Sequence, residues 1–297
     1  MPWFFHYEDY FRDKNYADTI ITDTLMGEGK WGERSGPQKF EMITITAQYQ
    51  LMYMAVLVCL QMAQESCANN DIQMSQMMWD QAAGYIIGSL EGSHDGGAPL
   101  QDGQLIWNLS NSVCDQFGRC NSNGYSLVAS DLKDMLFAGK GEIVSGSCLN
   151  LQQTSLKVQH LMLIPIIQSI IRYAINYEDH SIQTSSADIA AGEAFSLCIL
   201  PLLVVFAVES VKTIEKNMIT RDGSQPSFTS AIDVGHAFFP LLEDFDIKCK
   251  YVGAVHRVDT CVDRRDRSSA SLNRNSISIS DLIVVALGFA VINNAAF

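Results

Sequence analysis

Basic residues are scarce in this chain: 20 Lys and Arg stand against 33 Asp and Glu, for a formal net charge of -13. A face that holds nucleic acid or an anionic membrane needs clustered Lys and Arg, so the balance argues against both as partners and favours cations. Strict alternation of apolar and polar residues is also scarce, which argues against a β fold. No CxxC pair occurs, so the spacing of a structural zinc site is missing. There is no HExxH helix, no nucleophile elbow and no Ser/His/Asp order, and we expect no enzyme. The 12 methionines form no repeated Met-x-Met array and read as core filler rather than copper(I) ligands. The histidines, among them His160, His180, His236 and His256, are scattered, and none is expected to bind metal.

What is present is apolar and helical. With 297 residues and 47% apolar composition, the chain can bury a substantial core as one large domain or two fused bundles. Long apolar runs at 48–67, 74–90, 160–177 and 186–218, with a shorter one at 126–137, predict helices. Pro165 should kink or start one of them, and Pro201 should interrupt another. The expected fold is all-α, helical bundles that include two related units if a weak repeat is real. In that repeat, Asp80-Gln81-Ala82-Ala83-Gly84-Tyr85 and Asp188-Ile189-Ala190-Ala191-Gly192-Glu193 share D-x-A-A-G-x at an offset of 108, and Gln64 and Arg172 lie at the same offset.

Eight cysteines give an even count. Cys114 with Cys120, and Cys249 with Cys261, flank short loop-like segments that a bridge could close, which favours an oxidising compartment. Cys59 and Cys198 sit in apolar runs and read as buried free thiols. The sequence opens Met1-Pro2-Trp3-Phe4-Phe5-His6-Tyr7-Glu8-Asp9, without the basic and apolar regions of a secretory signal, so either the start lies upstream or the protein is not exported, and the cysteine pairs favour the first. Residues 282–297 form an apolar run behind small residues and a polar spacer. That order fits a lipid-anchor signal, a truncated spanning segment or a last core helix, and the first two would attach the protein to a membrane. The organisation expected is a domain at 1–262, a polar linker at 263–281 and a hydrophobic tail at 282–297.

One group of motifs goes further. Trp79-Asp80-Gln81-Ala82-Ala83-Gly84-Tyr85, Gly88-Ser89-Leu90-Glu91-Gly92 and Cys114-Asp115-Gln116-Phe117-Gly118-Arg119-Cys120 come first. They are joined by Tyr16-Ala17-Asp18, the stretch from Pro165 to Ala174, Gly192-Glu193-Ala194-Phe195, Leu200-Pro201-Leu202 and Cys249-Lys250-Tyr251-Val252-Gly253. In order and spacing the set resembles the algal low-iron-inducible periplasmic proteins, whose diatom relatives are the phytotransferrins. The chain looks like a divergent member: Ser110-Asn111-Ser112-Val113 stands where a charged segment is expected, and 56–64 lacks charges. The resemblance implies a protein of the periplasm or cell surface that captures ferric iron, Fe(III), for uptake under low iron, with carbonate as co-bound anion. A helical scaffold or adhesion module that keeps the fold without the metal is the alternative.

Ferric iron prefers carboxylate, phenolate and carbonate oxygens, and its charge lets tyrosine bind as the anion. Asp80 and Glu91 would share a helix face but stand about 16 Å apart along its axis, and Asp80 and Tyr85 would be about 140° apart around it. A site must therefore draw on several helices. The expected ligands are Tyr85 and Glu193, which the repeat could bring together, with Tyr173, Glu91 and Asp80, and Arg172 holds the carbonate. Each has a plainer reading: Tyr85 as a core tyrosine with a bonded hydroxyl, Arg172 and Glu193 as a buried ion pair, Glu91 as a helix end.

Overall fold

The computed structural model describes residues 2–89, 103–179, 184–220, 226–256 and 258–259, all within a unit spanning Met1–Cys261. Glu91, Cys261, the linker and the hydrophobic tail lie outside the described residues. The fold is all-α, with one two-stranded antiparallel ribbon pairing Ala254–Val255 with Val258–Asp259.

Two long helices make the centre. α8 (Cys148–Glu178) and α9 (Ser186–Phe206) are long and largely apolar, and α9 is buried without a break from Ile189 to Leu203. A helix apolar on every side must be covered on every side. The covering comes from α1 (Pro2–Phe11), α3 (Gly36–Ile45) and α10 (Val208–Met218) around α9, and from α4 (Met52–Ala68), α6 (Ile106–Val113) and α7 (Leu127–Val144) around α8. The helices α2 (Tyr16–Met26), α5 (Ile72–Ile87), α11 (Ala231–His236), α12 (Phe239–Asp244) and α13 (Cys249–Val252) complete the described residues. By length and composition three stretches, Gly36–Ala68, α8 and α9, could cross a membrane. The apolar part of each is buried against the rest of the chain to 56%, 72% and 78% respectively.

Helix ends follow their local chemistry. Ser185 caps α9 and forms a reciprocal capping box with Asp188, Ser126 caps α7 and Asp71 caps α5. Neither proline ends or starts a helix. Pro165 lies inside α8, and Pro201 lies inside α9, which runs on to Phe206 and breaks at Ala207. Both sit in fully buried turns, where surrounding contacts outweigh the missing N–H donor. One glycine is needed for close approach: a Cβ at Gly139 would stand 2.0 Å from the Trp79 ring. The indole Nε1 donates to the Leu136 carbonyl at 2.9 Å, locking α5 onto α7.

Bridges staple this scaffold. Cys114–Cys120 forms as expected, with a Cα separation of 5.0 Å, and Cys59 and Cys198 are free and buried. Cys249 is disulfide-bonded, and its expected partner Cys261 is not among the described residues. A bridge not foreseen from sequence joins Cys67 to Cys148, tying the end of α4 to the start of α8. Bridges of this kind fit maturation in an oxidising environment.

The two segments of the repeat stand in different surroundings. Both D-x-A-A-G-x segments lie on α5 and α9, each of which follows a long helix. Gly84 is open to solvent, whereas a Cβ at Gly192 would meet the Tyr177 hydroxyl at 2.3 Å and Met218 at 3.0 Å. Of the small residues in the two segments, Ala82, Ala190 and Ala191 are buried, whereas Ala83 is only partly so.

His160 on α8 stacks flat on Phe245, with centroids 4.4 Å apart. Burial pushes its pKa from 6.5 down to about 4, against the opposing pull of its hydrogen bond to the Phe245 backbone and of Asp246. The stability this neutral ring contributes is therefore full above pH 6.5 and is lost as pH falls toward 4, by about 2–3 kcal/mol. Urea unfolding at pH 7 and pH 4.5 should show this loss in the wild type. A His160→Phe variant should show a pH slope smaller by that amount.

Candidate functional site

A pocket of about 200 Å³ opens where α3 and the turn after it face α8. Residues Thr46–Leu51 form a π-helical stretch between α3 and α4, a geometry frequent at functional sites because the extra residue per turn redirects side chains. It carries Gln48 and Tyr49 to the pocket, Glu41 and Thr44 arrive from α3, Ser169, Arg172 and Tyr173 from α8, and Phe195 from α9. Phe195 stacks on both phenols, at 5.2 Å from Tyr49 and 6.0 Å from Tyr173. One ring thus fixes two tyrosines at a common wall. The Arg172 guanidinium lies 5.7 Å from the centre of the Tyr173 ring.

The electrostatics are those of an oxygen-rich pocket with a single cation on its wall. Burial raises the Tyr49 pKa to about 12, with smaller contributions from Cys198, Tyr173 and Glu41. Tyr173 is raised mainly by burial, opposed by Arg172 and reinforced by Glu41 and Asp188. Glu41 is raised by burial and by Asp188. Two phenols and a carboxyl group thus keep their protons more tightly than in water. A cation placed among them would reverse each of these shifts.

Of the residues expected from sequence, Arg172 and Tyr173 meet in this pocket. The others do not converge on it. Glu193 is fully buried and commits both oxygens elsewhere: Arg34 donates to them at 2.7 and 3.2 Å, and the Thr220 hydroxyl donates at 2.7 Å. The buried ion pair foreseen for Glu193 exists, but its partner is Arg34 and not Arg172. Asp80 meets Lys140 on the surface, both oxygens at 3.0 Å. Tyr85 is half-buried on α5 and accepts a hydrogen bond from Gln81 at 2.9 Å. The pairing of Tyr85 with Glu193 rested on the repeat, and Glu193 is already saturated by groups from before α3 and after α10.

Glu41 and Tyr49 were missed, although a signal existed. Glu41, Thr44 and Gln48 recur at three- and four-residue spacing through an otherwise apolar stretch, a polar stripe on one helix face. Ser169 and Arg172, three apart on α8, are the stripe it meets. Among the described residues, no group of three or more His, Cys, Asp and Glu side chains could hold a metal ion. No family model matches the chain, and no curated protein or solved structure matches it.

Proposed function

We propose that this protein binds ferric iron without enzymatic activity at the α3–α8 pocket, with carbonate as co-bound anion, and serves iron assimilation at a cell surface. Tyr49, Tyr173 and Glu41 are the oxygen donors, and Arg172 holds the carbonate. The reading is supported by one observation above all: two phenols and a carboxyl group, each with its pKa raised by burial, share a small pocket with one guanidinium. Ferric iron is the hard, highly charged ion that draws phenolate and carboxylate oxygens together and offsets their mutual repulsion. The planar guanidinium fork matches a carbonate, whose oxygens could complete the ion's coordination. The motifs shared with the low-iron-inducible proteins point the same way, with the ligand set moved from Tyr85 and Glu193 to Tyr49 and Glu41.

Because each phenol must lose a proton to bind, affinity should fall by up to about tenfold per pH unit for each one as pH drops. The test is calorimetry and visible spectroscopy of ferric citrate added to the purified chain, with and without bicarbonate. A phenolate-to-iron charge-transfer band should appear, weaken at least tenfold in apparent affinity in Tyr173→Phe and in Tyr49→Phe, and persist in Tyr85→Phe. Arg172→Ala should matter only when bicarbonate is present. A metal-free scaffold is the second reading, favoured by the saturation of Asp80, Tyr85 and Glu193 within the protein. No band and no heat above the citrate control would assign the chain to it.

A further inference from the structure

A second and larger cavity, about 550 Å³, lies on another face of α8, between α7 and the connection from α12 to α13. It is of the size usual for small organic ligands. Its floor is apolar and buried, formed by Leu161, Ile164 and Ile247. One wall is the stacked pair of His160 and Phe245, made rigid by the hydrogen bond from His160 to the Phe245 backbone. The imidazole stays neutral there, so the wall is apolar and uncharged near pH 7.

The mouth is charged with both signs. Asp131 and Asp134 stand three apart on α7, and Lys157 on α8 and Lys248 beside the loop face the same space. Among the described residues no ion pair within 4.0 Å joins these groups to one another. Tyr251 donates a hydrogen bond to Asp131, which orients that carboxylate at the cavity edge. Asp246 completes the rim with a left-handed backbone, φ 48°, that turns the chain between Phe245 and Ile247. An apolar floor beneath separate acidic and basic groups is complementary to a molecule with an apolar body and a charge of each sign. A purely cationic ligand would meet the two lysines, and a purely anionic one the three aspartates.

We propose that this cavity binds a small zwitterion with an apolar body, of the size of a short apolar peptide. Its ammonium group lies at Asp131 and Asp134, its carboxylate at Lys157 and Lys248, and its side chains rest on Leu161, Ile164 and Ile247. This site is independent of the iron reading, since none of its residues lines the α3–α8 pocket.

The experiment is calorimetric titration of the full chain with leucyl-leucine, N-acetyl-leucyl-leucine and leucyl-leucinamide, each with and without ferric citrate. Leucyl-leucine should bind saturably, both blocked forms at least tenfold more weakly, and iron should change neither result. Asp134 and Lys157 are surface side chains, so Asp134→Asn and Lys157→Gln should fold and melt as the wild type does. Asp134→Asn should erase the preference for the free amine, and Lys157→Gln the preference for the free carboxylate. Absence of saturable binding, equal binding of the blocked forms, or unchanged preferences in both variants would each overturn the proposal.

Discussion

Replacing Glu193 by alanine is expected to lower the unfolding free energy by about 3–5 kcal/mol, more than any other single substitution on α9. The carboxylate is fully buried and satisfies Arg34, whose side chain is 1% exposed, as well as the Thr220 hydroxyl. Without it a guanidinium charge is stranded in the core beside the Trp31 ring. Arg34→Ala should be as harmful, for the converse reason. The double variant Arg34→Met/Glu193→Leu removes both charges and should recover most of the loss, because desolvating the pair offsets much of its attraction. Urea denaturation followed by circular dichroism measures the cycle. Additive losses in the double variant would mean that the two residues do not act as a pair. The double variant also separates structure from function: if iron binds at the α3–α8 pocket, a folded protein without Glu193 still binds it.

The helical fold was legible because its signal is distributed. Long apolar runs such as 186–218 read as helices in an alternation-poor chain, and the structure places α9 and α10 there. The errors arose where a single residue was read by itself. Pro201 looked like a break, but its neighbours on every side are packed, and the break fell at Ala207. Glu193 was set opposite Tyr85 by the repeat, whereas its carboxylate has a buried cationic partner. That partner, Arg34, lies 159 residues away in a short polar segment that nothing marks as special. Arg172 and Tyr173 line the α3–α8 pocket, and Arg172 had been singled out as a charge in an otherwise apolar helix with Gln168 one turn before it. Tyr49 was hidden because its direction depends on the π-helical stretch, which no periodicity of 3.6 predicts.

Removing the bridge between Cys67 and Cys148 is the other large effect expected. The cysteines are 81 residues apart, so on the loop-entropy model the bridge contributes about 4 kcal/mol, against about 2 kcal/mol for Cys114–Cys120, whose separation is 6. Cys67→Ser/Cys148→Ser should therefore shift the urea midpoint about twice as far as Cys114→Ser/Cys120→Ser. Equal shifts would show that strain or structure in the unfolded chain dominates instead. The long bridge fastens the last turn of α4 to the first turn of α8, and 24 residues of α8, about 36 Å, separate Cys148 from Arg172. At low urea the Cys67→Ser/Cys148→Ser protein should consequently keep the α3–α8 pocket and the iron titration of the wild type while unfolding much more readily. Loss of the titration in a protein that still shows native near-ultraviolet dichroism would mean that the staple positions the pocket through α8 and does more than hold the bundle closed.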